Sequence, residues 1–136
     1  MPFDSTGYST GVDITSRKAR LEHLITVLQR VPDSQFDLGV WSCGTSACAA
    51  GWAGKDEIFI AQGFQTHHAA NDVCYVDPLT KLLNVGLSAC CEFFHLSYTE
   101  AKFLFLTTYY GQGHITTNEV IRHVQRLLDG EIVYDL

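Results

Sequence analysis

Cys43 and Cys48 flank a Gly44-Thr45-Ser46 turn signal, and Ala49-Ala50-Gly51-Trp52-Ala53-Gly54 follows, small residues broken by one tryptophan. The pattern predicts a tight turn feeding a helix over about 46–54, with Thr45 as N-cap. Cys48 then sits in the first helical turn, where free backbone N–H groups and the helix dipole favour a thiolate or a bound anion. The chemistry such a thiol serves is nucleophilic. Cys48 is the candidate nucleophile of a hydrolase or transferase, with His67 or His68 as its base. The competing reading is packing, because free cysteine is among the most often buried residues and is then inert. Trp52, one turn beyond Cys48, would cover it.

The same residues offer a metal alternative. Cys43 and Cys48 with His67, His68 or Cys74 could supply four ligands to a structural zinc. Against this stand the loose C-x4-C spacing and the lack of a second tight pair. Cys90 and Cys91 are adjacent in a helical pattern and point about 100° apart. The expectation is therefore of no metal and no cofactor.

Two further loops gather polar and aromatic side chains. His67-His68-Ala69-Ala70-Asn71-Asp72 could present a base or a ligand-binding edge, or be a solvated hairpin loop. Tyr109-Tyr110-Gly111-Gln112-Gly113-His114 sets two rings beside two glycines, suited to stacking on a partner. The bland alternative is a Gly-rich turn with one tyrosine tucked into the core. It is not a phosphate loop, since no GxxxxGK[ST] is present. Tyr109, Tyr110 and His114, with Trp41 and Thr45 of the cysteine turn, are the candidate binding residues. His23 and His123 fall on polar helix faces and read as solvated. Arg17, Lys18 and Arg20 form a basic cluster too small for nucleic-acid specificity.

The elements that must position these residues are mostly helices. Leu21, Leu24, Ile25, Leu28 and Val31 make an amphipathic stripe over about 16–30, capped by Thr15 or Ser16 and ended by Pro32. Asp56 caps a short helix through Gln62, closed by Gly63 at C′ with Phe64 following. Phe64-Gln65-Thr66 and Val73-Cys74-Tyr75-Val76 read as two strands. Asp77-Pro78 reads as N-cap and N1 of another helix. Leu87, Cys90, Cys91 and Phe94 keep helical spacing behind Ser88 as cap. Ser97 and Glu100 form a capping box before Phe103, Leu104, Phe105 and Leu106. Thr117 caps a last helix, with Val120, Val124, Leu127 and Leu128 inward and Gly130 ending it.

Together these elements predict a mainly α (α+β) domain of about five to six helices with one two-stranded β-hairpin near 64–77. The small-residue helix should be central, packed against the helix over about 98–107 and covered by the first and last helices. The 136 residues suit a single globular domain over 15–136, preceded by a Ser-, Thr- and Gly-rich arm over 1–14. A net charge of −6 argues against non-specific DNA or RNA binding. No apolar run approaches the ~20 residues of a membrane span. Met1-Pro2-Phe3-Asp4 lacks the basic start and apolar core of a signal peptide, and the odd count of 5 cysteines argues against a disulfide scaffold. A soluble, cytoplasmic protein with free thiols is the expectation.

The run Phe36-Asp37-Leu38-Gly39-Val40-Trp41, then Cys43-Gly44-Thr45-Ser46-Ala47-Cys48-Ala49-Ala50-Gly51-Trp52-Ala53, and later Glu92-Phe93-Phe94-His95-Leu96-Ser97-Tyr98-Thr99-Glu100-Ala101-Lys102-Phe103-Leu104-Phe105, carries a resemblance. The chain resembles a family of small uncharacterised proteins from bacteria and their phages, over most of residues 17–130. The resemblance implies a shared fold and a bacterial or phage origin, and no activity. His95 stands where that pattern has glycine, which predicts a less sharply turned loop. The resulting reading is a small non-enzymatic binding module, monomer or homodimer, for a protein partner or small ligand. If phage-encoded, it would be an accessory protein or inhibitor of a host system, acting in the bacterial cytoplasm. The cysteine-dependent enzyme and the small structural zinc domain are its alternatives.

Overall fold

A computed structural model describes residues 16–37, 48–67, 72–107, 110 and 114–134. The expected arm over 1–14 lies outside them. In chain order come α1 (Arg17–Gln29), a 3-10 turn (Asp33–Gln35), α2 (Ala49–Ala53), α3 (Glu57–Ala61), β1 (Phe64–His67), β2 (Asp72–Val76), β3 (Leu83–Val85), α4 (Leu87–Phe94), α5 (Tyr98–Phe105) and α6 (Thr117–Leu128). The α+β class holds, with six α-helices and a three-stranded antiparallel sheet, order β1-β2-β3, among the described residues.

Helix starts follow the capping chemistry. Ser16, Asp56 and Ser97 accept hydrogen bonds from the amides of Ala19, Phe59 and Glu100. Ser97 and Glu100 close the expected capping box. For α6 the cap is Thr116, one residue earlier than expected. Glu119 is three residues beyond Thr116 and returns its carboxylate to the Thr116 amide at 2.8 Å, which fixes that register. Thr117 is instead buried, its amide and hydroxyl both directed at Asp33 Oδ1.

The helix expected at Asp77-Pro78 does not form. Asp77 Oδ1 accepts from the amides of Leu79 at 2.8 Å and Thr80 at 3.1 Å, as an N-cap would. Lys81 then adopts a left-handed conformation (φ 62°), and its amide bonds to Asp77 O at 2.8 Å. That closes a tight turn and sends Leu83–Val85 back along β2, with Tyr75 opposite Asn84. The sheet therefore gains a third strand. Gly86, at φ 65°, bends directly from β3 into α4 and displaces Ser88 as the start of that helix. A Cβ there would lie 3.3 Å from Asp72 Oδ2.

The small-residue helix is shorter than expected and packs elsewhere. α2 begins after Cys48, and Gly54 follows it at a place where a Cβ would lie 2.8 Å from the backbone nitrogen of Thr66. The Thr66 amide donates to Gly54 O at 3.2 Å. Close approach thus serves strand β1. α2 packs against α1, β1 and β2, whereas α5 packs on α4 and α6, and α6 on α1. Among the described residues the main partners of α2 are thus α1 and the sheet rather than α5, contrary to expectation.

Phe64, Val73 and Tyr75 on the inner face of the sheet meet Cys90, Phe93 and Phe94 of α4 in the core. Phe93 is central, with ring centroids of Phe64, Phe94, Phe59 and Tyr75 at 4.7, 5.0, 5.1 and 5.2 Å. α4 ends at His95, which is left-handed (φ 55°, ψ 52°) without being glycine. The turn is as sharp there as glycine would make it, contrary to expectation, at a cost of roughly 1–2 kcal/mol. Arg17 offsets part of this by donating to His95 O at 3.1 Å and gripping Glu100 with both guanidinium nitrogens, at 2.8 and 2.9 Å.

Candidate binding surface

The thiols are placed by packing. Cys48 is 1 % exposed and is the N-cap of α2, its Sγ accepting from the Gly51 amide at 3.3 Å. Burial pushes its pKa up to about 12, against the smaller opposing pull of the surrounding amides. At neutral pH the protonated thiol is then strongly favoured. Burial weighs against Cys48 as a nucleophile and favours the packing reading of this thiol. The helix dipole that would have favoured a thiolate comes from a helix of 5 residues and is outweighed by desolvation. Cys90 is also buried, with its pKa raised well above the usual thiol value by that burial. Cys74 is buried too, whereas Cys91 is half-buried. Native alkylation should therefore label Cys91 before Cys48 or Cys90, which should react only on unfolding. Mass-spectrometric mapping of carbamidomethylated cysteines checks this, and early labelling of Cys48 would contradict its burial.

His67 ends β1, and its side chain lies outside what the structure describes, as do Trp41, Cys43, Thr45, His68 and Tyr109. Among the described residues, no group of three His, Cys, Asp or Glu side chains comes together as metal ligands. The described members of the candidate zinc set are thus the buried thiols Cys48 and Cys74 alone.

The aromatic loop is only partly on view. Tyr110 is half-buried, its hydroxyl donating to Leu104 O at 2.8 Å and its ring stacked on His123 at 4.0 Å. Burial raises its pKa. The ring is committed to the fold, whereas His114 is exposed. His123 is not solvated either. It lies between Tyr110 and Phe103, each 4.0 Å away, with Nδ1 2.9 Å from Phe103 O; burial lowers its pKa. His23 is likewise engaged, 2.8 Å from Asp56 Oδ2 and edge-on to Phe59. Both histidines lie at the margins of apolar helix faces, where a ring can pack while one nitrogen finds a partner.

Of the basic cluster, Arg17 and Arg20 make contacts within the fold, whereas Lys18 is exposed. Arg20 is 5 % exposed; its guanidinium lies 3.9 Å from the Phe93 ring centroid and donates to Phe93 O at 2.6 Å and Gln62 Oε1 at 3.0 Å. With Arg17 one turn earlier, it satisfies carbonyls at the C-terminus of α4.

A cleft of about 180 Å³ runs between α1 and α2, lined by Val27, Arg30, Val31, Trp52, Lys55 and Asp56. It is smaller than the ~300 Å³ at which ligand pockets begin. Its ring is also occupied. Lys55 Nζ sits 4.8 Å from the Trp52 ring centroid, and the indole N–H donates to Gln35 O.

The surface with most to offer is the β2–β3 hairpin, which the sequence reading missed. Leu79 is 91 % exposed, Leu82 65 %, Leu83 60 % and Val85 44 %. Val76 opposite Leu83 adds to the same outer face. The edge of the sheet is open here. Gly86 donates to Val73 O at 2.8 Å and Asp77 to Leu82 O at 3.0 Å, so positions 82, 84 and 86 bond inward to β2. Leu83 and Val85 turn their N–H and C=O groups outward, and no hydrogen bond reaches those groups among the described residues. On the opposite edge the Thr66 amide is taken up by Gly54 O. The signal that could have found the hairpin was the run Leu82-Leu83-Asn84-Val85, an apolar stretch just after an aspartate-led turn.

No protein-family model, no curated protein and no solved structure matches the chain. Among the described residues, no helix is long and apolar enough to cross a membrane.

Proposed function

We propose that the chain is a non-enzymatic binding module that engages a protein partner through the β2–β3 hairpin. The observation that carries this reading is the concentration of Leu79, Leu82, Leu83 and Val85 on one exposed hairpin with an open edge. Scattered apolar residues on a surface need no explanation, but a clustered set marks a contact surface. An open strand edge adds directional hydrogen bonds to the apolar gain. An accessory or inhibitory role in a bacterial cytoplasm is part of this proposal; the resemblance to small bacterial and phage proteins carries the origin and no activity. Burial of Cys48 and the commitment of Tyr110 to the fold move the interest from the cysteine turn to the hairpin.

Leu79→Asp with Leu82→Asp tests the reading. Both side chains are exposed, so the thermal midpoint should stay within a few degrees of the wild type, as for surface changes of about 0.5 kcal/mol. A partner retained by the wild-type chain should be lost by the double variant and kept by His114→Ala. If no retained protein depends on the hairpin, the reading fails.

A further inference from the structure

We infer that His123 is a proton-sensitive wedge, and that charging its ring unseats Tyr110 from α5 and α6. The inference is independent of the hairpin reading. The imidazole lies flat between two rings, Phe103 and Tyr110, each with its centroid 4.0 Å away and tilted by only 8° and 12°. Both faces are therefore closed to water, and only the edge of the ring remains. On that edge Nδ1 lies 2.9 Å from Phe103 O. A carbonyl oxygen only accepts, so Nδ1 carries the proton and Nε2 is the nitrogen left to titrate. An added charge would have neither face hydrated, which is the physical cost of protonation here. Attraction of a cation to the rings works the other way. Yet the Phe103 ring already carries the guanidinium of Arg126, 5.0 Å from its centroid, so a second cation on that ring meets repulsion.

The surrounding charges leave burial in command. On α6 itself Arg122 and Arg126 oppose protonation and Glu119 favours it. Glu119 is spent on the Thr116 amide, and Glu131, which acts on His123 from beyond α6, is gripped by Arg126. On α5, Glu100 pairs with Arg17 and the Lys102 ammonium lies over the Tyr98 ring. On α1, Arg17 and Lys18 sit beside Leu127 and Leu128, a turn beyond His123, and Glu22 is exposed. Arg20 and His23 turn to Phe93 and Asp56, and Arg30 to the cleft beside α2. The imidazole is thus harder to charge in the fold than in the unfolded chain, where its pKa is about 6.5. The contribution of the stack is complete above that value and is lost as the pH falls through the lower, folded one. Of the two covering rings, Tyr110 is the one that can lift. Phe103 is 4 % exposed within α5, whereas Tyr110 belongs to neither helix. Beyond the stack, its described ties are the hydroxyl on Leu104 O at 2.8 Å and the amide on Thr107 O at 3.0 Å. Lifting it returns one face of the imidazolium to water and frees a carbonyl in the last turn of α5.

Nuclear magnetic resonance of the purified full chain, titrated from about pH 7.5 to about pH 5, tests the inference. Over this range Glu100 and Glu131, held below the usual carboxylate value by Arg17 and Arg126, stay ionised. The expected result is a His123 ring that titrates below pH 6.5. The Overhauser contact between the Tyr110 and His123 rings should be present at the start and disappear with the same midpoint. The contact between Phe103 and His123 should persist throughout. His123→Phe keeps a flat ring in the slot with no proton to gain, so its contact with Tyr110 should survive acidification. The urea midpoint of the wild type should also fall further over this range than that of His123→Phe. If the variant does not fold, the wild-type titration decides alone. A His123 that titrates at or above pH 6.5, or a Tyr110 contact that outlasts its protonation, overturns the inference. So does a folded His123→Phe that loses the Tyr110 contact over the same range.

Discussion

Phe93→Ala should lower the unfolding free energy by about 3–5 kcal/mol, the range for truncating a buried phenylalanine. Against a total of about 5–15 kcal/mol, that is a large share of the stability of a domain this size. Phe93 is fully buried, and the rings of Phe59, Phe64, Tyr75 and Phe94 all pack on it. These rings belong to α3, β1, β2 and α4 itself, so the sheet and two helices share one contact. Collapse around the missing ring is hard because its neighbours are large and mutually wedged. Urea titration at 25 °C checks the value. The midpoint should fall by roughly 2 M if the slope stays near 2 kcal/mol per M. Leu79→Ala, at an exposed site, serves as the control and should change stability by about 0.5 kcal/mol or less. A loss near 1 kcal/mol for Phe93→Ala would mean that the cluster does not organise the core.

Arg20→Ala is expected to cost about 2–4 kcal/mol, although arginine is normally a surface residue. Three losses combine. The Phe93 carbonyl, in the last turn of α4, would lose its donor, and a buried acceptor left without one costs about 1–3 kcal/mol. The guanidinium stacked on the Phe93 ring contributes up to about 2 kcal/mol where water is excluded. The aliphatic stem adds packing. The losses overlap, so their sum is an upper bound. Lys18→Ala, exposed and two residues away, should change little. Adding Arg20→Ala to Phe93→Ala should cost less than the two separate effects summed, since the cation then has no ring to lose. Strict additivity in that double-mutant cycle would show that the stacking contributes nothing.

How much of this was legible in the sequence depended on whether a signal was local. The stripe of α1, the capping box at Ser97, and Gly63 behind α3 rest on residues within one or two turns, and they form as read. Asp77 shows where local information stops. Its carboxylate makes the same bonds to following amides whether it opens a helix or a turn, and only the pairing of Leu83–Val85 with β2 decides. The site suffered in the same way. Cys48 had a local environment suited to a thiolate, but its burial is set by packing from distant parts of the chain. Arg20 read as one member of a basic patch because its aromatic partner lies 73 positions away.

The contact between Gly54 and Thr66 covers part of a strand edge. Because no side chain stands at Gly54, α2 can lie against β1, and the Gly54 carbonyl takes up the Thr66 amide. An outward donor that another strand could have used is spent inside the fold. The hydrogen atom that serves as the Gly54 side chain thus decides which backbone donor the chain keeps for itself.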